Sequence, residues 1–301
     1  KPIISMMRKR LLISLPVFLA CLSGWLLLSG KPSLWQDLTQ KSEKERTGYN
    51  LVPILCFHDV NGAGPYSVSI QEFRTYLDIL KKENIRVWPL KKIMEYHRQN
   101  RLMEQPTMAI TIDDDFENIA RVAAPILREY DYPATFFVYT RDINKHPRGG
   151  MAWEDLKRLL AEGFDVQNHS HTHTAFHEPR PFESKDQFAA RVTQEVVTSR
   201  EILEQNLPGN KIWAFAYPMG YYSPYLESRV REAGYDLILT VDANPVDLTS
   251  NFTGIMDRYT IQKEYVDDPM AMFYKQIAYA RQKYSSAEVA QVEEGPDHGL
   301  K

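Results

Sequence analysis

Several things are scarce in this chain of 301 residues, and each shortage excludes something. Cysteine occurs only twice, at Cys21 and Cys56, far apart and with Cys21 inside an apolar run. That argues against a disulfide framework and against a thiolate metal cluster. An excess of one charge is missing too: 36 Lys and Arg stand against 39 Asp and Glu, a net charge of -3. So balanced a chain offers no argument for nucleic acid as a partner. No internal repeat is visible, so a stacked-repeat architecture is not indicated. What is present is ordinary for a globular protein: 44% of residues are hydrophobic and 25% charged, enough for one large domain or two small ones.

The N-terminus departs from that average. Arg8, Lys9 and Arg10 precede LLISLPVFLACLSGWLLLSG, Leu11 to Gly30, which carries no charge. A helix of about 20 apolar residues spans a bilayer core, and basic residues ahead of it keep the N-terminus in the cytoplasm. The expectation is an uncleaved signal anchor or transmembrane helix over 1–30, with the rest of the chain extracytoplasmic, in the periplasm or at the cell surface. A cleaved signal peptide is one alternative. A lipoprotein modified at Cys21 in FLAC is another, although the apolar run continues past it. A buried soluble helix fits poorly with the basic cluster. The chain opens on Lys1, and Met6 or Met7 is the expected start. Residues 31–48 read as a polar linker and 285–301 as a polar, mobile tail, leaving 49–284 as the folded domain.

Within that domain, strand-like runs alternate with helical patterns. LVPILCF (51–57), TMAITI (107–112), ATFFVYT (134–140), FDVQN (164–168), IWAFAYP (212–218) and YDLILTV (235–241) read as strands. Between them, IQEFRTYLDILKKEN has helical spacing at Phe73, Leu77 and Leu80. WEDLKRLLAEG reads as a helix begun near Trp153 and stopped by Gly163. SKDQFAARVTQEVVTSREILEQN is a long helix with a capping box at Ser184 and Gln187. YLESRVREAG is one more. Alternation of this kind implies an α/β fold with parallel strands and helices outside. Six or seven units imply a (β/α) barrel, closed or incomplete.

Chemistry-bearing residues follow the strands. MAITIDDDFEN, Met108 to Asn118, sets Asp113, Asp114 and Asp115 side by side. Adjacent carboxylates repel, so a metal ion, a shared proton or plain exposure to water must compensate. Four of the eight histidines lie between 169 and 177. His169 and His173 are four apart, so on a helical turn they share a face and could grip one ion. His171 then points elsewhere, and His177 reaches the face only if the helix continues. Two imidazoles and one carboxylate leave positions open for water and substrate, the composition of a catalytic rather than a structural metal site. A solvated polar loop is the plain alternative. His58 ends the first strand, and YPMGYYSP (217–224) follows another. In barrels of this class the carboxyl ends of the strands share one face, so all four groups are expected to converge.

These motifs together resemble the polysaccharide deacetylase family, the NodB-homology domain of carbohydrate esterase family 4, over about Leu51 to Ile261. Thr111-Ile112-Asp113-Asp114-Asp115 is similar to the family's Thr-Phe-Asp-Asp-Gly. His169-Ser170-His171-Thr172-His173 is similar to its His-Ser/Thr-x-x-His, and Tyr217-Pro218-Met219-Gly220 to its third motif. ILCFHDV resembles the poly-N-acetylglucosamine deacetylase branch. The resemblance implies a distorted or incomplete (β/α) barrel and a metal-dependent N-deacetylase. Asp113 would be the general base, and Asp114, His169 and His173 the metal ligands. His58 would be the general acid, in place of a late Leu-x-x-His motif that this chain lacks. The backbone N–H of Met219 would hold the oxyanion. Zn²⁺ is the expected ion, with Co²⁺ or Ni²⁺ able to use the same ligands. The expected partners are an N-acetylated polysaccharide and, through the N-terminal helix, a membrane.

The chain departs from the family at some positions. Asp115 replaces the glycine after the aspartate pair and reads as the N-cap of a helix beginning at FENIARV. Ala216 stands where many members carry an arginine that orients the base, and Arg258 in MDRYTI is the candidate to replace it. Met219 replaces an aromatic, so Tyr217, Tyr221 or Tyr222 are the candidates for substrate contact. The departures leave an inactive glycan-binding scaffold open, and because the same machinery would cleave O-acetyl esters, an acetyl-glycan O-esterase stays open too. A two-metal nuclease built on the aspartate triplet is weaker, because no basic face accompanies it.

Overall fold

The computed structural model describes residues 46–145, 150–262 and 268–286. The segment 1–30 expected to cross a membrane lies outside the described residues, as do almost all of the linker and most of the tail. Among the described residues no helix is long and apolar enough to span a membrane. Thr47–Tyr284 forms one compact unit.

Its frame is a nine-stranded sheet. In chain order the strands are β1 Ile54–Phe57, β2 Arg86–Val87, β3 Thr107–Asp113, β4 Thr135–Val138, β5 Asp165–Asn168, β6 Ala214–Ala216, β7 Leu237–Leu239, β8 Ile255–Met256 and β9 Tyr259–Thr260. The spatial order is β8-β7-β6-β5-β4-β3-β1-β9, with β2 also paired to β3. Every pairing is parallel. The first run, expected to be one strand from Leu51, is cut at Pro53, which has no N–H to give to a ladder. Leu51–Val52 instead pairs antiparallel with Val246–Asp247.

The outermost strands, β8 and β9, are joined by only Asp257 and Arg258. Three consecutive Cα–Cα steps of about 3.8 Å bridge the two edges of the sheet. A flat sheet of this width cannot have its edges that close, so it curls into an incomplete barrel, as the alternating pattern predicts.

The helices are α1 Ile70–Lys82, α2 Leu90–Arg98, α3 Ala124–Glu129, α4 Trp153–Ala161, α5 Lys185–Thr193, α6 Ser199–Asn206, α7 Pro224–Glu232 and α8 Pro269–Ala280. Sequence marks their ends. Ser69 and Glu72 form a capping box on α1, and Ser184 and Gln187 form the expected one on α5. Gly163, left-handed at φ 89°, follows α4 where a side chain would be strained. The long helix 184–206 is interrupted by a π-helical turn, Gln194–Thr198, between α5 and α6.

The two faces of each strand differ. Met108, Ile110 and Ile112 of β3, Phe215 of β6 and Ile238 of β7 belong to the larger apolar core. Ala109, Ala214, Ala216, Leu237 and Leu239 belong to a second core on the opposite strand faces. By the period-two rule Thr111 and Asp113 share the face of Ala109. The second face is lined in part by alanine, which leaves room for the bulkiest fully buried side chain of the described residues, Arg258.

Candidate active site

The site begins where β3 ends. Asp113 is its last residue and is buried, a costly place for a carboxylate without a partner. Arg258 meets it from the link between β8 and β9, donating from Nη1 to Oδ1 at 2.6 Å and from Nη2 to Oδ2 at 2.8 Å. Arg258 is held in turn by the Thr240 carbonyl at 3.1 Å and the Thr111 hydroxyl at 3.2 Å. Burial pushes the Asp113 carboxyl up, but the charge of Arg258 and the nearby His169 outweigh it and hold the group well below the usual carboxylate range. Arg258 therefore supplies beside Asp113 the positive charge that residue 216 does not. Ala216, at the aligned position, contributes its carbonyl instead.

That carbonyl lies 2.9 Å from Nδ1 of His169, the first residue after β5. A carbonyl only accepts, so Nδ1 carries the proton and Nε2 keeps its lone pair. Nε2 faces Asp113 Oδ2 at 3.6 Å. His173 Nε2 lies 3.1 Å from Asp114 Oδ1. One ligand atom from each of Asp114, His169 and His173 falls within 4.8 Å of the others. Asp114 has a left-handed backbone (φ 82°), which turns it out of the strand line.

The expectation of a helical turn under the histidines is corrected here. Residues 169–174 form no helix, and Ser170 and His173 are left-handed at φ 79° and 54°. A loop, not i,i+4 spacing on a helix, brings His169 and His173 together, with ring centroids 5.0 Å apart. His171 points elsewhere as expected, with Nδ1 on the Thr140 hydroxyl at 2.8 Å. His177 is apart from the cluster, packed on Tyr221 at 5.0 Å. Asp115 is corrected as well. The helical segment after it starts at Glu117, too far along for Asp115 to be its N-cap, and the Asp115 carboxyl takes a hydrogen bond from Tyr139 instead.

Several of these groups meet in a cavity of about 410 Å³. His58, Asp113, Asp114, His169, His173, Tyr217 and Met219 all line it. The predicted convergence at the carboxyl ends of the strands is therefore observed. Met219 is exposed and left-handed (φ 57°) in the turn Pro218–Gly220. The turn is closed by the N–H groups of Gly220 and Tyr221, which bond to the carbonyls of Tyr217 and Pro218, so the Met219 N–H stays outside its hydrogen bonding. Tyr221 and Tyr222 lie outside the cavity lining: Tyr221 packs on His177, and Tyr222 stacks on Tyr217 and bonds to Asp242. Tyr66 lines the cavity against His58, with ring centroids 4.9 Å apart, and sequence reasoning missed it. It also missed Glu195, a buried carboxylate that bonds to the histidine loop. Its signal was available: Glu195 falls among the apolar positions Phe188, Val192, Val196 and Leu203 of the same helical run, where a charge needs a reason.

Among the described residues two groupings have metal-ligand composition, and one of the two suits a cation. In Cys56, His58 and Asp113, both aspartate oxygens are taken by Arg258, and burial pushes the Cys56 thiol up, so it keeps its proton. In Asp114, His169 and His173, the donors are free to bind. Oδ1 of Asp114 is buried and makes no hydrogen bond, although the ring nitrogen of His173 stands 3.1 Å away, the spacing of two donors facing one ion. Burial pushes the Asp114 carboxyl up to about 7, with Asp113, Asp115 and Asp59 adding to the shift and His58 opposing it. Burial also pushes His169 down to about 3 and lowers His173, so both imidazoles are neutral, the state a ligand requires. The hydrogen bond from His169 Nδ1 to a carbonyl is the support that metal-binding histidines use.

The chain resembles known proteins in sequence and in fold. The polysaccharide deacetylase family model matches residues 100–238. Poly-beta-1,6-N-acetyl-D-glucosamine N-deacetylase of Staphylococcus epidermidis is 28% identical over 159 residues, covering 52% of this chain and 54% of that protein. The Staphylococcus aureus protein of the same name is 26% identical over 191 residues, covering 62% and 65%. The chain thus spans between about half and two thirds of the length of these relatives. Among solved structures, IcaB from Ammonifex degensii aligns with a TM-score of 0.66 at 22% identity, covering 78% of this chain and 99% of that one. Streptococcus pyogenes deacetylase PplD in complex with acetate aligns with a TM-score of 0.62 at 20% identity, covering 77% and 98%. At these identities the structural likeness is one of fold.

Proposed function

From the premise that this chain carries a polysaccharide deacetylase domain over residues 100–238, we propose that it hydrolyses N-acetyl groups of an extracytoplasmic amino-sugar polymer. Poly-β-1,6-N-acetylglucosamine is the leading substrate, supported by the names of the staphylococcal relatives. The site outside the membrane is supported by the basic cluster and uncharged run of the N-terminus.

The observation that carries the reading is the pairing of an open three-donor cluster with a locked carboxylate beside it. Asp114, His169 and His173 would hold a divalent ion, Zn²⁺ by ligand type, with Co²⁺ or Ni²⁺ able to use the same donors. When bound, such an ion lowers the pKa of water towards about 7 and polarises the amide carbonyl. Asp113 accepts the proton of the attacking water. Arg258 favours its ionised form and fixes its plane, while each oxygen retains a second lone pair for the proton. The Met219 N–H faces the developing oxyanion; one such donor is worth about 3 kcal/mol. The amine leaves only after protonation, and His58, on the cavity wall, supplies that proton.

The test is acetate release from N-acetylglucosamine oligomers by the full chain, with and without chelator, beside Asp113→Asn. Release that depends on metal and vanishes in the variant is expected. Bound metal with no acetate from any oligomer or acetyl ester would instead favour a glycan-binding scaffold.

A further inference from the structure

The loop that presents His169 and His173 lacks secondary structure of its own and contains two left-handed residues, Ser170 and His173. Non-glycine residues persist in that conformation only where their surroundings hold them. The segment after β4 holds one side of the loop, through Thr140 N–H on the Ser170 carbonyl and Arg141 N–H on the His171 carbonyl; the other side is held by Glu195, in the π-helical turn between α5 and α6 and only 2% exposed. Its Oε2 accepts from the His171 N–H at 3.0 Å and the Thr172 N–H at 2.8 Å, and its Oε1 from the Thr172 hydroxyl at 2.5 Å. His171 and Thr172 lie midway between the two histidine ligands, so the carboxylate grips the span at its centre.

Glu195 is itself fixed to the strand that begins the loop. The Ser199 hydroxyl donates to the Glu195 carbonyl at 2.6 Å, and Asn168 Nδ2 donates to the Ser199 Oγ at 2.7 Å. Oδ1 of Asn168 accepts from the Ser170 N–H at 2.9 Å. Asn168 ends β5 and directly precedes His169. The π-helical turn, the strand end and the loop therefore form one hydrogen-bonded frame. An ordinary helix core would use an apolar residue at 195; a buried carboxylate there costs stability unless several donors satisfy it.

We propose that Glu195 is a positioning residue for the metal site: by holding His171 and Thr172 it sets His173 against Asp114 and His169. This rests on the metal-site reading above. The test compares the full wild-type chain with Glu195→Gln and Thr172→Val. Zn²⁺ affinity is measured by competition with a chromophoric chelator, and ligand geometry by the visible absorption of the Co²⁺-loaded protein. Supporting shells of this kind are worth about 10–100-fold in metal affinity. Glu195→Gln is expected to lose affinity in that range and to change the Co²⁺ spectrum, with Thr172→Val moving the same way by less. Wild-type affinity and spectrum in folded Glu195→Gln would overturn the proposal, because a purely structural glutamate would lower thermal stability alone. Should Glu195→Gln fail to fold, Thr172→Val decides by the same criteria. A wild-type chain that binds no divalent ion would sink the site reading, and this proposal with it; wild-type binding with unchanged variants overturns this proposal alone.

Discussion

Arg258 holds both oxygens of Asp113 from a position 145 residues away in sequence, in the two-residue link that joins the two edges of the sheet. Both groups are buried, so each would be costly alone, and the pair is satisfied further by Thr111 and Thr240.

Replacing Arg258 by Met should therefore destabilise the fold by about 3–5 kcal/mol, the usual cost of leaving one member of a buried pair uncompensated. Adding Asp113→Asn to that variant should recover part of the loss, because the stranded charge is gone. Urea unfolding of the single and double variants checks this. A single variant within about 1 kcal/mol of wild type would show that Asp113 does not depend on its partner.

A divalent ion that binds only the folded chain raises its stability by mass action, about 2.7 kcal/mol at a hundredfold excess over Kd. Zn²⁺ should raise the thermal midpoint, chelator should reverse the rise, and Asp114→Asn or His173→Ala should abolish it. A rise that persists in Asp114→Asn would move the ion elsewhere.

Two left-handed glycines should respond differently to alanine. At Gly163 (φ 89°) an added Cβ meets nothing within 4 Å, so the cost is the backbone term of about 1–2 kcal/mol. At Gly220 (φ 74°) the Cβ would run into Cγ2 of Val241, so either the Val241 side chain on the cavity wall or the turn bearing Met219 must shift. Acetate release should fall at least tenfold in Gly220→Ala and stay near wild type in Gly163→Ala. Equal activity in the two would show that the Val241 side chain yields without disturbing the cavity.

His97 gives a pH-dependent contribution to stability away from the site. It is buried, with Nε2 3.1 Å from the Ser250 carbonyl and Nδ1 without a partner among the described residues. Burial lowers its pKa below the ordinary 6.5, although Ser250 and Asp247 oppose this. The unfolded chain therefore binds this proton more readily than the folded chain. Stability from His97 is complete above about pH 6.5 and is lost as pH falls below it. The drop in urea midpoint between pH 7 and pH 5 should be smaller in His97→Gln than in wild type. An identical drop would assign acid sensitivity to other groups.

Much of the fold was legible because local signals carry it. Buried runs such as TMAITI and ATFFVYT became strands, and Ser184 with Gln187 capped its helix. Two-residue strands were not legible: Arg86–Val87, Ile255–Met256 and Tyr259–Thr260 are too short to show periodicity and exist through pairing with neighbours. The helical turn inferred for His169 and His173 failed for a related reason. A spacing of four suits a helix, but a loop pinned by Glu195 meets the same need, and the pin lies 22 residues beyond His173 in sequence.

By itself, then, the sequence determined which residues are available for chemistry and that they follow strands: Asp113 and Asp114 after one, His169 and His173 after another, His58 and the Met219 turn after two more. Residue type and strand-end position are local properties. Only the tertiary structure decided that Arg258 rather than residue 216 meets Asp113, that Asp115 lies beside Tyr139, and that Glu195 holds the histidine loop. Each of those contacts forms when the sheet curls and its distant segments meet, and no local pattern records which distant partner a buried charge will find.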